Sequence, residues 1–212
     1  MPVQETNRLS DAVLLAYSPS RAYNPVFKER AMTRDQALEL LQQHLKNRNL
    51  IKHCLAVEAC MKEFAGHLEQ EPEPWALAGL LHDLDYEYTV ETPVLHTEKT
   101  AEMLAGYSLA EEIIHAIKAH NQRVEPRSPM DISLLAIDPA SGFIIACALM
   151  HPDRKLQSLD LPFLKKRFKE KSFAKGASRE QMEMCAKLGL SLDDFLQLCL
   201  AAMQKISPEL GL

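Results

Sequence analysis

The sequence predicts an all-α fold, a helical bundle of one domain, from three observations. Only seven of 212 residues are glycine, runs of β-branched residues are scant, and apolar residues recur at intervals of three and four along most of the chain. With 47% hydrophobic residues the chain is long enough to bury one sizeable core.

Taken in order, residues 1–32 are mixed and proline-containing and read as a partly ordered arm. Residues 33–150 read as a helical core. Thr33 is placed to cap a helix running to about Asn47, with Gln36 at the capping-box position and Leu38, Leu41 and Leu45 on one side. In 49–68 a stripe of Leu50, Cys54, Val57, Met61 and Phe64 faces inward, and His53 falls beside it. A helix follows from Pro72 or Pro74 to about Leu84, with Trp75, Leu77, Leu80, Leu81 and Leu84 covering most of its circumference. Such a helix belongs in the core, and His82-Asp83 at its end is therefore the most informative pair in the chain. An ionised carboxylate buried without a partner costs several kcal/mol. A bound metal is the simplest remedy.

After the turn at Glu91-Thr92-Pro93, His96 is expected to open a helix over 96–105. In 109–121, Ile113, Ile117 and His120 share a face, whereas His115 lines up with Glu111 and Lys118. His120 is thus expected to point inward and His115 outward. Residues 132–150 are almost wholly small or apolar, and Asp138 followed by Pro139 admits either a metal-facing carboxylate or an N-cap and N1 pair. Residues 151–212 read as a basic connection, with Lys165-Lys166-Arg167 at its centre, followed by helices over 178–188 and 191–206 separated by Gly189.

Five cysteines, an odd number with no Cys-x-x-Cys pair, imply reduced thiols. No signal peptide or uninterrupted apolar run of about 20 residues is evident; 134–150 comes nearest but contains Asp138 and Pro139. These features predict a cytoplasmic protein with no membrane partner. Net charge is −5, so the local excess of lysine is a candidate phosphate-binding surface, with Lys165 and Lys166 as candidate substrate contacts. Nucleic acid is not the expected partner, because no aromatic platform accompanies that cluster. Asp85 and Tyr86 are further candidates to touch substrate or to support the ligands. His44, His67 and His151 have no evident partner, and the oligomeric state is not legible.

The order His53, His82-Asp83, His96, His120, Asp138 on successive helices resembles the HD-domain metal-dependent phosphohydrolase superfamily, in particular its small bacterial members of uncertain substrate. The chain lacks the GYP triplet of better-characterised branches, and His-Asp-Leu-Asp-Tyr stands where they have His-Asp-Ile-Gly. The resemblance implies one or two divalent transition metals, iron, manganese, cobalt, nickel or zinc. It implies that His53, His82, Asp83 and Asp138 hold one ion, and that His96 and His120 hold a second, bridged by Asp83, with Asp83 and His120 as catalytic residues. Phosphoester hydrolysis of a small phosphorylated substrate, a phosphomonoester or nucleotide, by metal-activated water is the implied activity. The same ligand order also resembles the diiron myo-inositol oxygenase, and a non-catalytic binding module with a structural metal is a third reading.

Overall fold

A computed structural model describes residues 31–212, and the expected arm lies, but for its last two residues, outside them. Among the described residues there is no strand. The helices are α1 (Arg34–His44), α2 (Arg48–His67), α3 (Pro72–Leu81), α4 (Tyr86–Thr89), α5 (Glu98–Leu104), α6 (Glu111–His120), α7 (Pro129–Met150), α8 (Leu161–Lys169), α9 (Arg179–Glu183), α10 (Leu192–Lys205) and α11 (Ser207–Leu210). Short 3-10 turns at Pro93–Leu95, Leu156–Ser158 and Met184–Leu188 join some of them.

The helix starts follow local chemistry. Thr33 and Gln36 form the expected capping box on α1, and Ser178 and Ser191 cap α9 and α10. Each satisfies amide groups that the first turn would otherwise leave unpaired. The basic segment holds a helix that the lysine run concealed: Asp160 accepts from the Phe163 amide and Pro162 lies in the first turn, a cap-and-proline start to α8.

α2 and α7 form the centre, α2 against α3 and α10, α7 against α6, α9 and the turn after it. Phe64, Phe143, Phe195, Leu41 and Met61 are fully buried between them. The approach of α3 to α2 depends on Gly79, where a Cβ would lie 2.9 Å from the Glu58 Cα and 3.0 Å from the Met61 Cγ. Glu58 is itself buried and takes a two-pronged guanidinium contact from Arg34.

α7 is one continuous helix with Pro139 inside it. Its N-cap is Ser128, in a capping box with Asp131, so the alternative of Asp138 as a cap fails. Proline inside a helix removes the amide that would bond the carbonyl four residues back, at about 3 kcal/mol. Burial of fourteen of the 22 residues of α7 offsets that cost. α7 is long and apolar enough to cross a membrane, yet 67% of its most apolar window is packed inside the protein, as a core helix requires. All five cysteines are free and buried.

Candidate metal centre

Six side chains named by the sequence converge from the ends and middles of five helices. His53 comes from mid-α2, His82 and Asp83 from the turn that ends α3, His96 from the turn before α5, His120 from the last residue of α6, and Asp138 from mid-α7. His96 precedes its helix rather than opening it, as the C-cap of the turn Pro93–Leu95.

The contacts divide about Asp83. Its Oδ2 lies 3.5 Å from His82 Nε2 and 3.7 Å from His53 Nε2. Its Oδ1 lies 3.3 Å from His96 Nε2 and 3.6 Å from His120 Nε2. Asp138 Oδ1 joins the first group, 3.0 Å from His53 Nε2 and 3.7 Å from His82 Nε2. One carboxylate thus presents each oxygen to a different pair of imidazoles. Ligand atoms about 2.0–2.1 Å from one ion sit roughly 3.0–3.4 Å from each other in octahedral or tetrahedral geometry, and the observed separations fall at or just above that range.

The far side of every ring fixes which nitrogen carries the proton. His82 Nδ1 donates to the Gly79 carbonyl at 2.8 Å, and His120 Nδ1 to that of Ile117 at 2.6 Å. His96 Nδ1 donates to Asp85 Oδ1 at 2.6 Å. His53 Nδ1 donates to Ser141 Oγ at 3.0 Å, whose own hydroxyl donates to the Asp138 carbonyl. In the neutral rings all four Nε2 lone pairs therefore point into the cluster. His53 Nε2 and His82 Nε2 are only 3.2 Å apart, and two lone pairs at that distance require a cation between them. The donor set, neutral imidazole with carboxylate, suits a divalent transition ion.

Electrostatics agree. Burial alone would push the Asp83 carboxyl up, but His82, His120, His96 and His53 hold it well below the usual carboxylate range. Asp138 is depressed in the same way, against burial, by His53 and His82. His96 is raised to about 9, since its bonds to Asp83 and Asp85 outweigh burial. Where no ion is bound, His53 and His96, both raised against burial by the neighbouring carboxylates, are the imidazoles that hold balancing protons.

Asp85 is not at the surface: it is fully buried, and beside His96 it accepts the Thr97 amide at 2.8 Å and the Thr100 amide at 3.1 Å. Its place is behind the ligand, which excludes the substrate contact. Thr97 is fully buried at φ 72°, a conformation that a β-branched residue adopts only under constraint. Tyr86 is 39% exposed with its ring edge-on to His96. Lys165 is tied to Asp193 of α10 at 2.5 Å, Lys166 is exposed, and neither lines the cleft beside the cluster. That cleft, about 350 Å³, is walled by His53, Asp138, Pro139, Gly142, Gly176 and Gln181, among others. His115 departs from its expected outward place: it is half-buried, with Nδ1 2.9 Å from the buried carboxylate of Asp131. Ser141 escaped the sequence reading; its one signal was a hydroxyl three residues after Asp138 in an otherwise apolar stretch.

The family model described as HD domain matches residues 50–140, a span that carries all six clustered side chains. This chain contains an HD domain. Similar curated proteins are Ribonuclease Y of Oleidesulfovibrio alaskensis, 32% identical over 45% of this chain and 18% of that protein, and Ribonuclease Y of Acidothermus cellulolyticus, 31% identical over 44% and 19%. Ribonuclease Y of Thermoanaerobacter pseudethanolicus is 30% identical over 76% of this chain and 32% of its own length. The chain thus spans about a third or less of the curated relatives it matches. No solved structure matches. The HD domain and these relatives support a metal-dependent hydrolase, and divalent metal as its cofactor. They overturn the expectation of a small phosphorylated substrate with nucleic acid excluded, since the relatives are ribonucleases by name. The small substrate is what the family resemblance implies, and nucleic acid is set aside there only because no aromatic platform accompanies the basic cluster.

Proposed function

We propose that this HD domain is a metal-dependent phosphodiesterase that cleaves RNA. The observation that carries the reading is the split of Asp83, one oxygen toward His53 and His82, the other toward His96 and His120. In this reading His53, His82, Asp83 and Asp138 hold one ion and Asp83, His96 and His120 a second, drawn from iron, manganese, cobalt, nickel and zinc. When bound, such a pair supplies Lewis acidity at a phosphoryl oxygen and lowers the pKa of water.

The chain's own residues do the rest. Asp83 spaces the two ligand sets. The Nδ1 bonds hold each ring in the orientation its ligand role needs, so little reorganisation remains for the reaction. The cleft along Pro139 and Gly142 admits the phosphodiester beside His53 and Asp138. The likeness to ribonucleases supports RNA as the substrate. Five buried free thiols support a reducing, cytoplasmic setting.

Protein loaded with manganese, cobalt or nickel is expected to cleave a fluorogenic RNA oligonucleotide, and to lose that activity with Asp83→Ala. Equal cleavage by the parent and by Asp83→Ala contradicts the assignment. Turnover appearing only with ferrous iron and oxygen, on an inositol-like substrate, replaces hydrolysis with oxygenation.

A further inference from the structure

Resting on the proposed RNA cleavage, we propose that the substrate is bound as a chain, in a groove made of two clefts that meet at Gln181. The first cleft is the one beside His53 and Asp138. The second, of about 490 Å³, is lined by Gln122, Val124, Glu125, Glu180, Lys187 and, again, Gln181. Each has the volume of a site for one small ligand. Joined, they run from the metal centre along α9 and the turn after it, both packed on α7, and take linked nucleotides rather than one.

Two features of this wall suit an RNA strand, although its charges are mixed, with Lys187 beside Glu125 and Glu180. The Gln181 amide is half-buried and has no hydrogen-bond partner among the described residues, although its backbone N–H is capped by Ser178. A free amide offers both donor and acceptor to a base edge or phosphate. Lys175 is exposed between Ala174 and Gly176, two residues that line the first cleft. Gly142 and Gly176 border open space, where a Cβ on either would meet nothing within 4 Å.

The loop that carries Lys175 is held in shape. The Arg179 guanidinium donates to the carbonyls of Phe168, Phe173, Ala174 and Ala177 and lies over the rings of Phe143 and Phe168 at 4.8 and 5.3 Å. Its donors are directed at the loop backbone, so Arg179 is a positioning residue. Ala174 at φ 45° marks the turn that this staple enforces.

The test is the affinity of manganese-loaded protein for a fluorescein-labelled single-stranded oligoribonucleotide, read by anisotropy. Gln181→Glu puts a carboxylate in the phosphate path without touching the cap, and is expected to weaken binding about tenfold with metal content unchanged. Lys175→Glu is expected to do the same and to flatten the salt dependence by about one phosphate contact. Glu183→Gln, on the same helix but outside both clefts, is expected to stay within about twofold. Affinity in Gln181→Glu equal to the parent's overturns the groove, as does failure of the parent to bind. Binding that depends on Gln181 without any cleavage overturns the hydrolase reading and leaves the groove standing.

Discussion

The two halves of the metal centre are built differently. His53 and Asp138 stand in the middle of α2 and α7, the long helices of the core, and Ser141 ties them through one hydroxyl. His96 hangs from a turn before α5, next to Thr97 at φ 72°, and is aimed by Asp85 alone. The first half inherits its geometry from core packing, so any change large enough to disturb it also costs stability. In the second, His120 is held by α6, but His96 depends on one buried carboxylate with three bonds. This is the arm that a single substitution can loosen without unfolding the protein. For the proposed two-ion centre, unequal affinity at the two halves is the expected outcome.

The largest effect is expected from Asp83, shared by both halves. Asp83→Ala should abolish binding at both sites and cost about 2 kcal/mol or more in the chelator-treated protein, since it leaves buried imidazoles without their counter-charge. Elemental analysis and denaturant unfolding measure the two outcomes; a variant that keeps one ion breaks the bridging account. Next comes Gly79→Ala. A Cβ at 2.9 Å from the Glu58 backbone forces α3 from α2, at about 1–3 kcal/mol, and displaces His82 relative to His53. Its thermal midpoint should drop and metal at the first half should weaken together.

Asp85→Asn sharpens the comparison. It keeps size but removes the charge behind His96, and should weaken the second ion by about 10–100-fold while sparing the first, as calorimetric titration with manganese would show. Equal loss at both halves would mean that they are not separately built.

A smaller, pH-dependent effect follows from His96. In chelator-treated protein its pKa is raised from 6.5 to about 9, so the proton it binds stabilises the fold in full below pH 6.5. That contribution disappears as pH rises to about 9. Metal-loaded protein has no such proton to lose. The gap in thermal midpoint between loaded and chelated protein should therefore widen from pH 6.5 to 9, and binding at neutral pH should release protons, seen as a dependence of the calorimetric heat on the buffer.

The helical class and four of the clustered residues were legible for one physical reason. Polar groups on an apolar face are costly, so His53, His120 and the His82-Asp83 pair stood out against the stripes around them. What lay hidden was what periodicity does not encode. Asp138 could equally be a cap because Pro139 follows it, and only the burial of most of α7 carries the helix through. Asp85 and Ser141 act through partners distant in the chain, His96 and His53, which no local pattern links. His115 shares a helix face with Glu111 and Lys118, but α7 reaches over to meet it with Asp131. The lysine run suggested a substrate surface, whereas Lys165 is spent on Asp193 and the cleft opens at Gln181.

The most direct measurement is the number of ions retained per chain by the parent, His96→Ala and Asp83→Ala after titration with manganese and desalting. Two, one and none are the values expected if Asp83 joins a core-built half to a turn-built half. Equal retention in all three proteins, or one ion in the parent that His96→Ala leaves unaffected, would contradict it.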